Sequence, residues 1–139
     1  MAEKTLEEIA AVMKGIDIAM LTTVTEDGSL ASRPMSNNGD VDFDGDSYYF
    51  TYEESRMVAD IEEEPAVTLG FSGDDGFYVA VSGDADLIRD KEEFEAHWNP
   101  DLDKWFEDGI DTPNIVMIKV EADRLKWWKG EDAGEFTDF

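Results

Sequence analysis

The alternation of apolar and polar residues changes period several times along this chain, and the changes mark its elements. Thr5 followed by Glu8 has capping-box spacing, and Leu6, Ile9, Ala10 and Met13 fall on one helical face, which predicts a helix ending near Lys14 or Gly15. From Ile18 the period shortens to two. Ile18 to Val24, the turn Glu26-Asp27-Gly28 and Ser29 to Met35 read as a β-hairpin, with Ser29, Ala31, Arg33 and Met35 on one face of its second strand. Pro34 cannot donate to a ladder, so this strand lies at a sheet edge or bends there.

A second hairpin is predicted from Val41 to Phe43 and Ser47 to Thr51 around Asp44-Gly45. Ser55 has the place of an N-cap for a short helix that turns Met57, Val58 and Ile61 inward and stops at Pro65. Ala66 to Ser72 and Phe77 to Gly83 read as strands around Gly73-Asp74-Asp75-Gly76, the second running on toward Leu87 or Ile88. Asp90 and Glu93 open a helix through His97, and Leu102, Trp105 and Phe106 indicate a further helical turn. Ile115 to Val120 and Arg124 to Trp128 are read as two last strands. Six or seven strands without βαβ alternation predict a mainly β (α+β) fold, an antiparallel barrel with short peripheral helices. Residues 1–129 are expected as a single domain and 130–139 as a loose acidic tail.

Charge narrows the functions such a domain can have. The chain has 139 residues with 35 Asp and Glu against 11 Lys and Arg, a formal charge of −24. Nucleic acid and anionic membrane surfaces need clustered cations and are poor partners for it. A carboxylate-coated surface fits a halophilic protein that stays soluble in a salt-rich cytoplasm. No cysteine is present and histidine occurs once, as His97, so disulfides, thiolate catalysis and most zinc chemistry are excluded. The first apolar run, Ile16 to Val24, is short and interrupted by Asp17, which predicts neither signal peptide nor membrane span and points to cytoplasmic residence.

Against this background the placement of positive charge is informative. Between Lys14 and Arg89 lie 74 residues with 17 carboxylates and only two cations, Arg33 and Arg56, each directly after a serine. Ser55-Arg56 at a helix start would combine unpaired backbone N–H groups, the positive end of the helix dipole and a guanidinium fork. Arg33 on a face with Ala31 and Met35 is not placed as a solvated surface charge. Together the two pairs mark a candidate anion site, with pairing to neighbouring carboxylates as the alternative.

Other patterns carry less. Asp40-Val41-Asp42-Phe43-Asp44-Gly45 matches the first half of an EF-hand loop, but the position that requires a bidentate Glu is Thr51, so no metal site is expected. His97 lacks a partner marked by spacing and reads as a packing residue on a helix face. Trp127 and Trp128 must point to opposite faces of a strand, one toward the core and the other toward a rim or interface.

Ser32-Arg33-Pro34-Met35, Tyr49-Phe50-Thr51, Ser55-Arg56-Met57-Val58, Glu64-Pro65-Ala66-Val67, Ser82-Gly83, Trp98-Asn99-Pro100, Trp105-Phe106 and Lys126-Trp127-Trp128 occur in an order and spacing that resembles the pyridoxamine 5′-phosphate oxidase-like split-barrel flavoproteins, in the general stress protein 26 branch. The similarity runs from the Thr5 helix to Trp128. It implies a homodimer with FMN, or FAD, in grooves between subunits. By position, Arg33 would contact the FMN phosphate or ribityl region, Pro34 and Met35 the isoalloxazine edge, Phe50 and Thr51 the flavin, and Ser55 and Arg56 the phosphate. Tyr78 and a Trp of the 127–128 pair are further candidates, contributed by the second subunit. Relatives usually carry a lysine where this chain has Met57, and counterparts of the basic and histidine substrate residues of true pyridoxamine phosphate oxidases are missing. The resemblance therefore implies an FMN-binding stress-type protein, a flavin-dependent oxidoreductase or a flavin buffer. No acid, base or nucleophile is marked, and catalytic residues are left unassigned. The alternatives are a deazaflavin-dependent reductase of the same fold and a calcium-binding or acidic interaction module.

Overall fold

A computed structural model describes residues 5–16, 18–36, 45–73, 76–98, 102, 106 and 108–137. Helix α1 (Leu6–Lys14) begins at the expected capping box, in which the Thr5 hydroxyl accepts from the Glu8 N–H and the Glu8 carboxylate accepts from the Thr5 N–H. Its buried residues are Ile9, Ala10 and Met13. The remaining elements are β1 (Ile18–Val24), β2 (Leu30–Ser36), β3 (Asp46–Tyr52), α2 (Arg56–Glu63), β4 (Ala66–Ser72), β5 (Phe77–Ile88), α3 (Lys91–His97), a 3₁₀ turn at Gly109–Asp111, β6 (Ile115–Lys129) and β7 (Asp132–Phe136).

All pairings are antiparallel, in the order β2-β1-β4-β5-β6-β3, with β7 also on β6. Among the described residues, β2 and β3 close the two ends of this path without pairing to each other. The sheet is thus open along one seam, the split barrel that the resemblance implies.

Two expectations are corrected. Ile115 to Trp128 is one strand instead of two, because the register shift between Ser82 and Gly83 opposes Gly83 to Ala122 and Ser82 to Arg124, and so absorbs Asp123 without ending the ladder. Gly83 is required there, since a Cβ would overlap the Glu121 carbonyl. Besides β5, the long β6 then serves two further neighbours, β3 along Ile115 to Glu121 and β7 along Leu125 to Lys129. The segment after Gly130, expected to be loose, is β7. Gly130, at φ +60°, makes the reversal, Gly134 leaves room for the Trp127 ring, and Phe136 packs on the main core. Its acidic composition is accommodated because Glu131 and Glu135 are exposed.

Strand alternation divides the apolar residues into two clusters. The main core holds Ile9, Leu21, Leu69, Phe71, Val81, Ile118, Leu125 and Trp127 inside the curved sheet. Phe50, Ile115 and Met117 point through the other face of β3 and β6 onto Phe94 of α3, Leu102 and Phe106. Tyr49 and Phe50 are therefore both buried, on opposite sides of one strand. The predicted strand at Val41 to Phe43, the EF-hand-like aspartates 40–44 and Trp105 lie outside the described residues.

Candidate functional site

The seam between the two sheet ends opens a groove of about 260 Å³, lined by Ile18, Pro34 and Met35 from the β1–β2 side and by Phe50, Thr51, Tyr52, Leu102 and Phe106 from the β3 side. Pro34 stands at the β2 edge, where a missing N–H interrupts no further pairing. The β3 wall is stiffened from behind by aromatic contacts. Trp98 meets Phe50 edge-on at 4.9 Å between ring centroids and Phe106 at 5.6 Å, while Tyr52 meets Phe106 at 5.2 Å. Among the described residues, Thr51 and Tyr52 alone bring side-chain hydroxyls to this lining, so the groove is largely apolar.

The chain leaves the groove at Tyr52, turns through a hydrogen bond from the Ser55 N–H to the Tyr52 carbonyl at 3.0 Å, and enters α2. Ser55 has the extended backbone of an N-cap, at φ −67° and ψ 146°, yet its hydroxyl caps nothing. The oxygen is buried without a hydrogen-bond partner among the described residues. No acidic residue occupies the first turn of α2 to neutralise its positive end. Arg56 is exposed and makes no hydrogen bond or ion pair among the described residues. It borders a second, more open cleft of about 510 Å³ with Thr25, Glu26, Asp27 and Ser29 of the β1–β2 turn. Asp27 is occupied there, since it accepts from the Thr25 hydroxyl at 2.6 Å and the Ser29 N–H at 3.1 Å. The Thr25 hydroxyl, then the Ser29 amide, hold its carboxyl below the ordinary value.

Arg33 lies on the inward face of β2 beside Met35. Its Nη1 donates to Thr23 Oγ1 at 2.8 Å, Thr23 donates to Asp60 Oδ2 at 2.9 Å, and Nη2 stands 3.8 Å from the same Asp60 oxygen. The structure thus brings Pro34, Met35, Phe50 and Thr51 into one groove, with Arg33 adjoining one wall in sequence and Ser55-Arg56 following the other. Tyr78 and Trp128 are cross-strand neighbours on the outer face of the sheet, 52% and 40% exposed. Trp127 is 2% exposed, within the core. Met57 is also a core residue, so the accessible side chain at the start of α2 is Arg56. His97 stacks on Tyr48 with centroids 3.6 Å apart and rings within 12° of parallel. No group of three or more His, Asp or Glu is gathered for a metal among the described residues.

Pattern reading missed Thr23, Asp60 and the outer rim of the groove, Ile18, Tyr52, Leu102 and Phe106. Asp60 did leave a signal. It falls three residues after Met57 and directly before Ile61, on a helix stripe that is otherwise apolar, where a carboxylate needs a partner.

These features fit one family. The model of pyridoxamine 5′-phosphate oxidase-like proteins matches residues 4–138. The chain belongs to this family. Within it, the protein is 33% identical over 119 residues to general stress protein 26 of Bacillus subtilis, covering 79% of this chain and 82% of that one. The fold matches a crystal structure from Clostridium acetobutylicum of a protein related to general stress protein 26, with TM-score 0.84 at 21% identity over 99% of this chain and 96% of the other. It also matches the general stress FMN/FAD binding protein of Xanthomonas citri, with TM-score 0.77 at 26% identity over 91% and 89% of the two chains. The family match reaches past Trp128 and includes β7, in agreement with its pairing to β6. No helix among the described residues is long and apolar enough to cross a membrane.

Proposed function

We propose that this protein binds FMN as a homodimer, with the ring system in the seam groove and the phosphate at the start of α2. The observation that carries this reading is the state of Ser55 and Arg56: a buried hydroxyl without a partner beside an arginine that none of the described carboxylates has captured, in a chain of formal charge −24. A phosphate monoester supplies what both lack, acceptor oxygens and negative charge. The apolar groove one turn of chain away fits a flat ring, and the likeness to a Xanthomonas FMN/FAD binding protein supports the same ligand.

The flavin, when bound, supplies electron transfer; the residues described here bind and enclose it. Pro34, Met35 and Phe50 shield the ring from water, Thr51 offers a hydroxyl at its edge, and Ser55 with Arg56 anchors the phosphate. Such a site serves either a flavin-dependent oxidoreductase or a flavin store.

Surface chemistry supports self-association. Across the outer face, the row Pro34, Met20, Gly70, Ala80 and Lys126 and the pair Tyr78 and Trp128 contain no carboxylate until the row reaches Glu135 of β7, although acids make up a quarter of the sequence. Ile18, Met20, Leu30, Tyr78 and Trp128 are all exposed on it. A broad apolar face of this kind on an otherwise acid-coated protein is suited to a second copy of the chain. The binding reading is tested by titrating flavin-free protein with FMN and following flavin fluorescence. Saturation at one FMN per chain is expected, and fluorescence that rises linearly with added FMN, as it does without protein, contradicts it.

A further inference from the structure

Thr23 and Asp60 are the only buried polar or charged residues among those described, at 0% and 5% exposure, and both are engaged with Arg33. Every other carboxylate among the described residues is exposed or half-exposed, and sinking one beneath α2 carries a desolvation cost that an apolar side chain would avoid. The surroundings offered that option, since Leu21 precedes Thr23 on the inward face of β1 and Met57 and Ile61 flank Asp60 on α2.

What the arrangement provides is geometry. One Thr23 hydroxyl accepts from Arg33 on β2 and donates to Asp60 on α2, so three elements are joined through a single oxygen on the strand between them. Arg56 lies one helical turn before Asp60, and Pro34 and Met35 directly follow Arg33. The same link therefore fixes the start of α2 relative to the groove wall. The Arg33 Nη2 stands 3.8 Å from Asp60, beyond hydrogen-bond length, and neither it nor Nε has a hydrogen-bond acceptor among the described residues. The guanidinium is oriented from behind with donors left over.

We infer that Asp60, through Thr23, is a positioning residue that holds Arg33 toward the phosphate end of the ligand, an inference that rests on the flavin reading above. An arginine released from this hold would be captured by surface carboxylates, so the loss of the Asp60 charge weakens phosphate binding even though it removes a negative group from the neighbourhood.

The test compares FMN with riboflavin, which shares the ring and lacks the phosphate. Asp60→Asn and Thr23→Val are each expected to lower FMN affinity by about tenfold or more while riboflavin affinity holds, and Thr23→Ser is expected to keep the wild-type ratio. A purely structural role would weaken both ligands in parallel. A ratio unchanged in Asp60→Asn and Thr23→Val, a gain in FMN affinity, or a Thr23→Ser variant that behaves like Thr23→Val overturns the inference. Should Asp60→Asn fail to fold, the Thr23 pair decides the question alone. Wild-type protein that binds neither flavin sinks the ligand reading itself, whereas wild-type FMN binding with a constant ratio sinks only the role of Asp60.

Discussion

Trp127 of β6 and Gly134 of β7 face each other across the ladder, and a Cβ placed on Gly134 would lie 2.7 Å from the Cε2 atom of the indole. The contact explains why an acidic C-terminal segment is held as a strand: the glycine makes room for the largest side chain of the core, and the ladder with β6 follows. Gly134→Ala should lower stability by about 1–3 kcal/mol, as overpacking does elsewhere, and should quench or shift tryptophan emission in the folded state. Urea unfolding checks it, and a variant as stable as wild type would show that β7 is not closely packed.

Tyr49 presents the opposite situation, a side chain 1% exposed whose hydroxyl makes no hydrogen bond of good geometry among the described residues. Tyr49→Phe should therefore raise stability by about 1 kcal/mol. Burial pushes the phenol above its ordinary value of 10.0, with the Ser47 hydroxyl offsetting it only in part. Since the folded phenol resists ionisation, its contribution is intact below the unfolded value and is lost as pH rises above about 10, where the unfolded chain ionises. The gap between Tyr49→Phe and wild type should widen above that pH in parallel melts. A constant gap would mean that Tyr49 titrates alike in both states.

The outer face predicts a dimer that a single charge can break. Trp128→Glu, on a side chain 40% exposed, should shift the protein to monomer in sedimentation while leaving the fold intact. The proposed dimer should tighten with added KCl, because salt screens repulsion between two strongly acidic copies. A Trp128→Glu variant that sediments like wild type would place the subunit contact elsewhere.

Much of this architecture was legible because each element carries its own period. The Thr5 capping box, the inward stripe of Met57 and Ile61, and the alternation through Ile18 to Val24 each map onto a described element. The groove was legible in part: Pro34, Met35, Phe50 and Thr51, which the resemblance singles out, line it together, but Ile18, Leu102 and Phe106 arrive from distant segments that no local pattern links. β7 was hidden because its acidic residues mask a strand whose support, the indole of Trp127, is a tertiary contact. The Thr23 to Asp60 hydrogen bond spans 37 residues and depends on how α2 lies over β1, which no periodicity encodes.

The two sparse arginines make separate predictions. Arg56→Met removes an exposed cation and should reduce FMN occupancy without changing stability beyond about 0.5 kcal/mol. Arg33→Met leaves Asp60 buried without its ionic partner and should reduce both occupancy and stability, the latter by about 3–5 kcal/mol discounted for the partial exposure of the guanidinium. Flavin content after purification and a thermal melt check the pair. Full retention of FMN by both variants would remove the phosphate assignment.

The central claim, that the seam between β2 and β3 holds a flavin, is tested most directly by the visible absorbance spectrum of the purified protein, joined to mass identification of the molecule released on denaturation. The account predicts a yellow protein that releases FMN in a ratio approaching one per chain after reconstitution. A protein that stays colourless after incubation with FMN and gel filtration would contradict it.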